Sequence, residues 1–344
     1  MLARQFLHGD LVHVTRLCAG RLARLRPSPE TTQLVTYCLA RAARRHSIEV
    51  IAFCVMSTHL HLVLRDPKRR LPFFCQELFS NVARGLNVQQ GISGAVFVQG
   101  SYARPVLKTP AALYKALAYV MANPVAAGCV REPGLWPGLL VLPGQLGRRT
   151  LTAARPGYFF RDPAEEEGAL TGDETARDWH RLGYTEPCEA QDDSMRDSEA
   201  LTLTLPPILP DGSSSVGHED EVRRAAEDWL ARELEVVHEE RRQAGTTGFV
   251  GVHLVKAQDP LKPVRERGRD GRPTGARNPR FATQSRKVGK EQAEETFAWL
   301  VLHRTARVGW SGGDRTVVFP VGTWQAPRLW GATAEPEPAL AHPA

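Results

Sequence analysis

The sequence predicts an α+β fold: a ferredoxin- or RRM-like antiparallel sheet with helices on one face, then a C-terminal tyrosine-bearing helix. A mainly helical, partly disordered C-terminal extension follows. Three observations predict this. Strand-like and helix-like patterns alternate as β, α, β, β, α, β, α over the first 150 residues. Two strand-like runs are joined by only Ser57 and Thr58, which is most simply an antiparallel hairpin. The composition then changes abruptly after Gly144.

Taken in order, Leu11 to Leu17 is a short run rich in β-branched residues, which suits a strand. Pro29 to Arg45 places Leu34, Cys38, Leu39 and Ala42 at helical spacing and ends in bases, where the helix dipole favours them. Ile48 to Met56 is too β-branched and aromatic for a helix, and His59 to Arg65 alternates like a strand. Leu71 to Val88 is a second amphipathic helix, and Ala95 to Gln99 and Tyr102 to Leu107 are candidate strand segments. Thr109 reads as an N-cap with Pro110 at the first helical position of a helix running to Ala122, which Pro124 stops. Two helices then cover one sheet face, and the other face is left available for function.

These boundaries give a first domain over 1–145, an acidic, Pro- and Ser-rich linker over 146–217, and an extension of unknown role over 218–344. Residues 162–199 hold 13 acidic and 3 basic side chains. A helix resumes at His218 to Arg242, a basic stretch with 11 Lys plus Arg against 3 acids spans 256–290, and Lys287 to His303 is one more helix. Thr316 to Phe319 is a last strand, and the run Val317 to Trp324 suggests no chemistry.

Charge sharpens the division. The whole chain carries a formal +6, but residues 1–150 hold 19 basic and 6 acidic side chains, a net of +13, and the remainder nets −7. A basic first unit points to a nucleic-acid or other polyanion partner. No stretch approaches the roughly 20 apolar residues that span a membrane, and no signal-peptide pattern opens the chain, so a cytoplasmic, nucleoid-associated protein without a membrane partner is expected. Six scattered cysteines (Cys18, Cys38, Cys54, Cys75, Cys129, Cys188) form no C-x-x-C pair and read as reduced core residues rather than a disulfide scaffold or zinc site.

The sharpest local feature is His59-Leu60-His61. Strand residues two apart share a face, so two imidazoles stand side by side while Leu60, Leu62 and Leu64 take the opposite face. Two such nitrogens suit one metal ion, although a half-buried strand carrying two histidines has the same pattern. The second feature is a helical stripe: Lys115, Tyr119 and Asn123 stand four apart, with Leu113, Leu117, Val120 and Met121 on the packing side. The plainer reading makes Tyr119 a core-rim residue and Asn123 a cap before Pro124. Tyr114, roughly 140° round the helix from Tyr119, is the decoy phenol.

In their order these segments (IAFCVMSTHLHLVLR, a helix, VFVQGSYARPVL, LYKALAYVMANPVAAGCV, then Trp136-Pro137) resemble the HUH single-tyrosine transposases, specifically the REP-associated tyrosine transposase branch. The resemblance covers about residues 8–140. Ser57 and Thr58 stand where the family usually has a Pro followed by Asn or Glu, a departure that leaves the histidines intact.

The resemblance implies that His59 and His61 bind a divalent metal, Mg²⁺ or Mn²⁺, with Asn123 as third ligand, and that Tyr119 is the nucleophile. It implies nicking and strand transfer of single-stranded or hairpin DNA through a 5′-phosphotyrosine. Imidazole ligands by themselves favour the softer Mn²⁺. Lys115, Arg65, Arg104 and the cluster Lys68, Arg69, Arg70 are candidate phosphate contacts. A homodimer, with the tyrosine helix packed on a partner's sheet, fits the spacing as well as a monomer does. Two other readings remain: a catalytically silent nucleic-acid binder, and a metal-dependent nuclease without a covalent intermediate. The nuclease lacks an acid near the histidines to activate water, since Asp66 lies beyond the strand end.

Overall fold

The computed structural model describes residues 4–100, 102–158, 196–246, 248–264, 281–282 and 286–337. Most of the acidic stretch of 162–199, much of the basic stretch of 256–290 and Cys188 lie outside the described residues. The chain forms two compact units. The larger takes in residues 11–161 and 193–284, and the smaller residues 1–10, 162–192 and 285–344.

In the larger unit, β1 (Asp10–Leu17) leads to α1 (Pro29–His46), then β2 (Glu49–Val55) and β3 (His59–Asp66). There follow α2 (Leu71–Gln90), β4 (Val106–Leu107) and α3 (Pro110–Ala126). Ser28 caps α1 by accepting from the Thr31 amide at 3.1 Å, and Thr109 caps α3 by accepting from Ala112 at 3.1 Å. The sheet order is β2-β3-β1-β4, with β2 and β3 antiparallel from Glu49↔Arg65 to Val55↔Leu60 and β1 antiparallel to β4 at Val12↔Val106. The α+β class and its antiparallel sheet are therefore as the alternating pattern predicts.

Alternation along β1 sorts the two faces. Arg16, on the same side as Val12 and Val14, lays its guanidinium 5.5 Å from the Phe79 ring centre of α2, so α2 covers that face. His13 and Thr15 point the other way, toward His61.

The chain then adds β5 (Thr150–Ala154), β6 (Ser198–Thr202), α4 (Glu219–Gln243), the short α5 (Val252–Lys256) and β7 (Phe281–Ala282). β5 and β6 pair antiparallel along α1. Glu199 of β6, 2% exposed, accepts two bonds from Arg44 at 2.6 and 3.0 Å. Two segments within 146–217 are thus built onto the first unit. α4 buries Val222, Ala226, Leu230 and Val237, a spacing that forms one helical face, and packs along α3. Its first turn is acidic and its last basic.

Several expectations need correction. The face that carries the histidines is not open: α3 lies over β2 and β3, and α4 backs α3, so His59 is 8% and His61 3% exposed. Local periodicity identifies α4 as a helix but cannot say what it packs on. Pro124 does not stop α3, which continues to Ala126. A proline this close to the end removes only the amide that would bond Val120, and Ala127 and Cys129 close the end on Asn123 and Pro124 carbonyls, each at 2.9 Å. The two predicted strand segments over 95–107 shrink to β4 and to isolated bridges at Phe97 and Ala103, interrupted around Gly100 with φ 99°. The sheet also gains a fifth strand, β7, parallel to β4.

β7 lies beside β4, while Val55 and Val141 amides exchange bonds with Leu139 and Phe53 carbonyls along β2, at 2.8 and 3.0 Å.

In the smaller unit, α6 (Arg286–Ser311) precedes β8 (Val318–Phe319), α7 (Gln325–Trp330) and β9 (Thr333–Ala334), with β8 and β9 parallel. Phe319 is fully buried, with the rings of His303, Trp310 and Trp330 5.6 to 6.4 Å from its own. The N-terminal residues belong here: the Phe6 amide donates to the Gly322 carbonyl at 3.0 Å, and the Phe6 and Trp324 ring centres lie 6.2 Å apart. The run Val317 to Trp324 is therefore packing material. No described helix is long and apolar enough to cross a membrane.

Candidate metal and nucleophile site

β3 presents His59 and His61 on one face, and α3 crosses that face with Asn123 in its last turns. The Asn123 amide sits between the two rings. Its carbonyl accepts from His59 Nε2 at 3.3 Å, and its NH2 donates to His61 Nε2 at 3.3 Å. The two ring centres are 4.7 Å apart and nearly perpendicular, at 83°. Tyr119, one turn before Asn123, turns its ring edgewise to His61, with centres 5.4 Å apart and an interplanar angle of 88°.

In this single chain α3 packs on β2 and β3 of its own sheet. Tyr119 and Lys115 lie on the most open strip of a helix otherwise buried on nearly every side: Tyr119 is half-buried and Lys115 exposed. Tyr114 is fully buried, its hydroxyl donates to the Ile208 carbonyl at 3.1 Å, and burial pushes its pKa up to about 12.

The sequence reasoning missed a second layer. Thr58 Oγ1 lies 2.9 Å from His59 Nδ1, while His61 Nδ1 is 3.0 Å from Thr15 Oγ1 and 3.1 Å from His13 Nε2. His13-Val14-Thr15 repeats on β1 the two-residue alternation of His59-Leu60-His61, which is the signal that could have found it. Burial, and then the charge of His59, lowers the His13 pKa to about 4. Burial, followed by His59 and His13, holds His61 well below the ordinary imidazole range. His13 and His61 are therefore neutral near pH 7, the form that binds metal.

The side chains fit a divalent cation. Both Nδ1 atoms are engaged by outer partners and both Nε2 atoms face a single amide, the usual division of labour in a ligating histidine. A threonine hydroxyl can donate or accept, so Thr58 can hold His59 in either neutral tautomer. Among the described residues, no group of three or more His, Cys, Asp or Glu side chains is arranged to hold a metal ion. The Asn123 carbonyl is the further oxygen beside the two imidazoles that could serve as a donor.

The candidate phosphate contacts are placed unevenly. Lys68 is exposed in the turn after β3, and Arg69, with φ 56°, and Arg70 are half-buried beside it. Arg65 forms an ion pair with Glu49 across the strands at 3.1 Å, at the end of β3 away from His59. Arg104 is only 7% exposed, so burial withholds it from a phosphate backbone in this conformation. Asp66 accepts from the Arg70 and Leu71 amides at 2.8 and 2.9 Å, which ties it to the start of α2. The five described cysteines are buried.

Comparison with known proteins returns no matching family model and no matching curated protein. Among solved structures, one described as a REP-associated tyrosine transposase bound to a REP hairpin is 17% identical, with 39% of this chain and 78% of that one covered and a TM-score of 0.34. A protein from Deinococcus radiodurans R1, named as a candidate transposase, is 21% identical over 29% of this chain and 81% of its own, with a TM-score of 0.24. The chain is similar in structure to transposases. At this distance neither likeness carries a residue role across.

Proposed function

We propose that the chain is a metal-dependent nickase and strand transferase acting on single-stranded or hairpin DNA through a covalent phosphotyrosine. The observation that carries this reading is the convergence of His59 Nε2 and His61 Nε2 on the Asn123 amide, with the Tyr119 ring edgewise on His61. His59, His61 and the Asn123 carbonyl would hold Mg²⁺ or Mn²⁺. When bound, such an ion polarises the scissile phosphate and offsets charge that develops on its oxygens.

The chain's own residues supply the rest. Tyr119 Oη bonds to phosphorus while the bond to the 3′ oxygen breaks. The phenol loses its proton, the departing 3′ oxygen gains one, and the products are a 5′-phosphotyrosine and a 3′-hydroxyl. Attack by a different 3′-hydroxyl reverses the step and joins strands. The phosphodiester bond is exchanged rather than hydrolysed, so no energy source is required. Lys115, one turn before Tyr119 on the same open strip and exposed, would meet a backbone phosphate. The nuclease reading is weakened by Asp66, whose carboxylate is committed to the α2 amides.

The test is incubation of the full chain with hairpin-bearing single-stranded oligonucleotides and Mn²⁺, followed by denaturing electrophoresis. A protein–DNA adduct is expected that Tyr119→Phe abolishes and Tyr114→Phe does not. An adduct that survives Tyr119→Phe removes Tyr119 as the nucleophile, cleavage without an adduct favours the nuclease, and binding without cleavage favours the silent binder.

A further inference from the structure

One half-buried imidazole of the site has no part in the reaction as written. His13 projects from β1 onto His61, not onto the Asn123 amide, and its ring also lies edgewise to Tyr119, with centres 5.8 Å apart and an interplanar angle of 62°. We infer that His13, together with Thr15, is a positioning residue that fixes the tautomer and ring orientation of His61. This deepens the proposed function and, for its metal arm, rests on that reading.

The Asn123 NH2 donates to His61 Nε2, so that nitrogen offers a lone pair. A neutral imidazole carries one proton, which must then reside on Nδ1. Two acceptors wait for it there, Thr15 Oγ1 at 3.0 Å and His13 Nε2 at 3.1 Å. His13 can accept there when its own proton is on its Nδ1, which leaves the Nε2 lone pair turned to His61.

The two acceptors come from one strand, two residues apart, on the face set by β1's register beside β3. The outcome is a His61 ring whose Nε2 lone pair is aimed at the Asn123 side before any cation arrives. Without His13 and Thr15 the proton could move to Nε2, and the lone pair would then face β1. Outer partners of this kind commonly change metal affinity by about 10- to 100-fold.

The experiment uses the full chain and two readouts. Long-range proton–nitrogen spectra of the ¹⁵N-labelled, metal-free protein report which ring nitrogen of His61 carries hydrogen. Calorimetric titration with Mn²⁺ reports affinity. The wild type should show the Nδ1-protonated tautomer. His13→Ala combined with Thr15→Val should mix the tautomers and weaken Mn²⁺ binding by about 10- to 100-fold. His13→Gln, whose amide oxygen reaches the place of Nε2 and can accept, should restore most of both.

An unchanged His61 tautomer together with unchanged Mn²⁺ affinity in the double variant overturns the inference. Equal loss of Mn²⁺ affinity in His13→Gln and His13→Ala overturns it too, because that pattern marks a direct ligand. A wild type that binds no Mn²⁺ but loses its Nδ1 tautomer in the double variant sinks the proposed function and leaves the positioning role standing. Should the double variant not fold, His13→Ala alone, with Thr15 still accepting, should give a partial tautomer shift; no shift at all overturns the role of His13.

Discussion

Two buried polar clusters in the larger unit both contain histidine, and they are built on opposite terms. Between α1 and α2, Glu77 takes bonds from Arg45 at 2.9 Å and His46 at 2.8 Å and pairs with Arg41 as well. Burial alone would raise its pKa, but the His46 hydrogen bond and the Arg41 and Arg45 guanidiniums outweigh it and hold Glu77 at about 2. Under α3 the cluster of His13, His59, His61 and Asn123 has only neutral partners in its described hydrogen bonds. The first cluster is closed, since its positive charges are already matched by a carboxylate. In the second, two imidazoles and an amide are joined by hydrogen bonds between uncharged groups, with no carboxylate among those bonds. A buried histidine therefore gains its meaning from whether an acid stands beside it.

This contrast can be broken experimentally, beginning with the largest effect. His59→Ala should lower metal-dependent cleavage by more than about 100-fold, the upper range for merely outer-shell partners. Salt-sensitive DNA binding should largely survive, because basic side chains supply that term. Parallel loss of binding and cleavage, measured by filter binding and product gels, would make His59 structural.

Glu77→Ala should leave two guanidiniums buried without their carboxylate and cost about 3–5 kcal/mol in chemical denaturation. A cost comparable to that of an exposed ion pair would show that the cluster is not closed.

The same carboxylate sets an acid limit. Its folded pKa of about 2 lies below the unfolded value of roughly 4.3, so its contribution is complete above the unfolded value and is lost as pH falls toward 2. Melting temperatures measured from pH 6 down to pH 2 should fall more steeply in wild type than in Glu77→Gln, which has no proton to take up at that site. Identical slopes would remove Glu77 from the account.

The smallest effects belong to surface charge. Breaking the half-exposed Arg65–Glu49 pair by Arg65→Ala should cost no more than about 1 kcal/mol. Lys115→Ala should reduce the salt dependence of DNA binding by about one phosphate contact. A change in cleavage without a change in salt slope would move Lys115 from the DNA backbone to the chemistry.

The residues of the candidate site were readable where local periodicity places them. His59 and His61 follow from alternation along one strand, and Tyr119 and Asn123 from one helical turn. What brings the two pairs together is the passage of α3 across β3, a tertiary fact that neither period contains. His13 and Thr15 were equally visible as a pattern, but their role depends on β1 lying beside β3, and strand order is not encoded in any single run. Pro124 was read by its usual effect in mid-helix, which is muted in a last turn. Arg104 was counted as basic surface because composition does not report burial. The hardest features to read were the wall formed by α4 and the edge strand β7, since both come from more than 90 residues beyond the elements they cover.

That wall bears on how far the molecule can be dismantled. α3 exits through Gly128, at φ 70°, where a Cβ would stand 2.6 Å from the Arg241 guanidinium, and the Gly128 and Cys129 carbonyls accept from the Val250 and Gly251 amides at 2.9 and 2.8 Å. α3 is thus clasped at its tail by residues over a hundred positions further along the chain. Cutting the protein after residue 145, where its basic character ends, would not release a minimal enzyme; it would uncover the apolar back of the helix on which Tyr119 and Asn123 are mounted. The portion without chemistry of its own is part of the bearing on which the reactive portion is held.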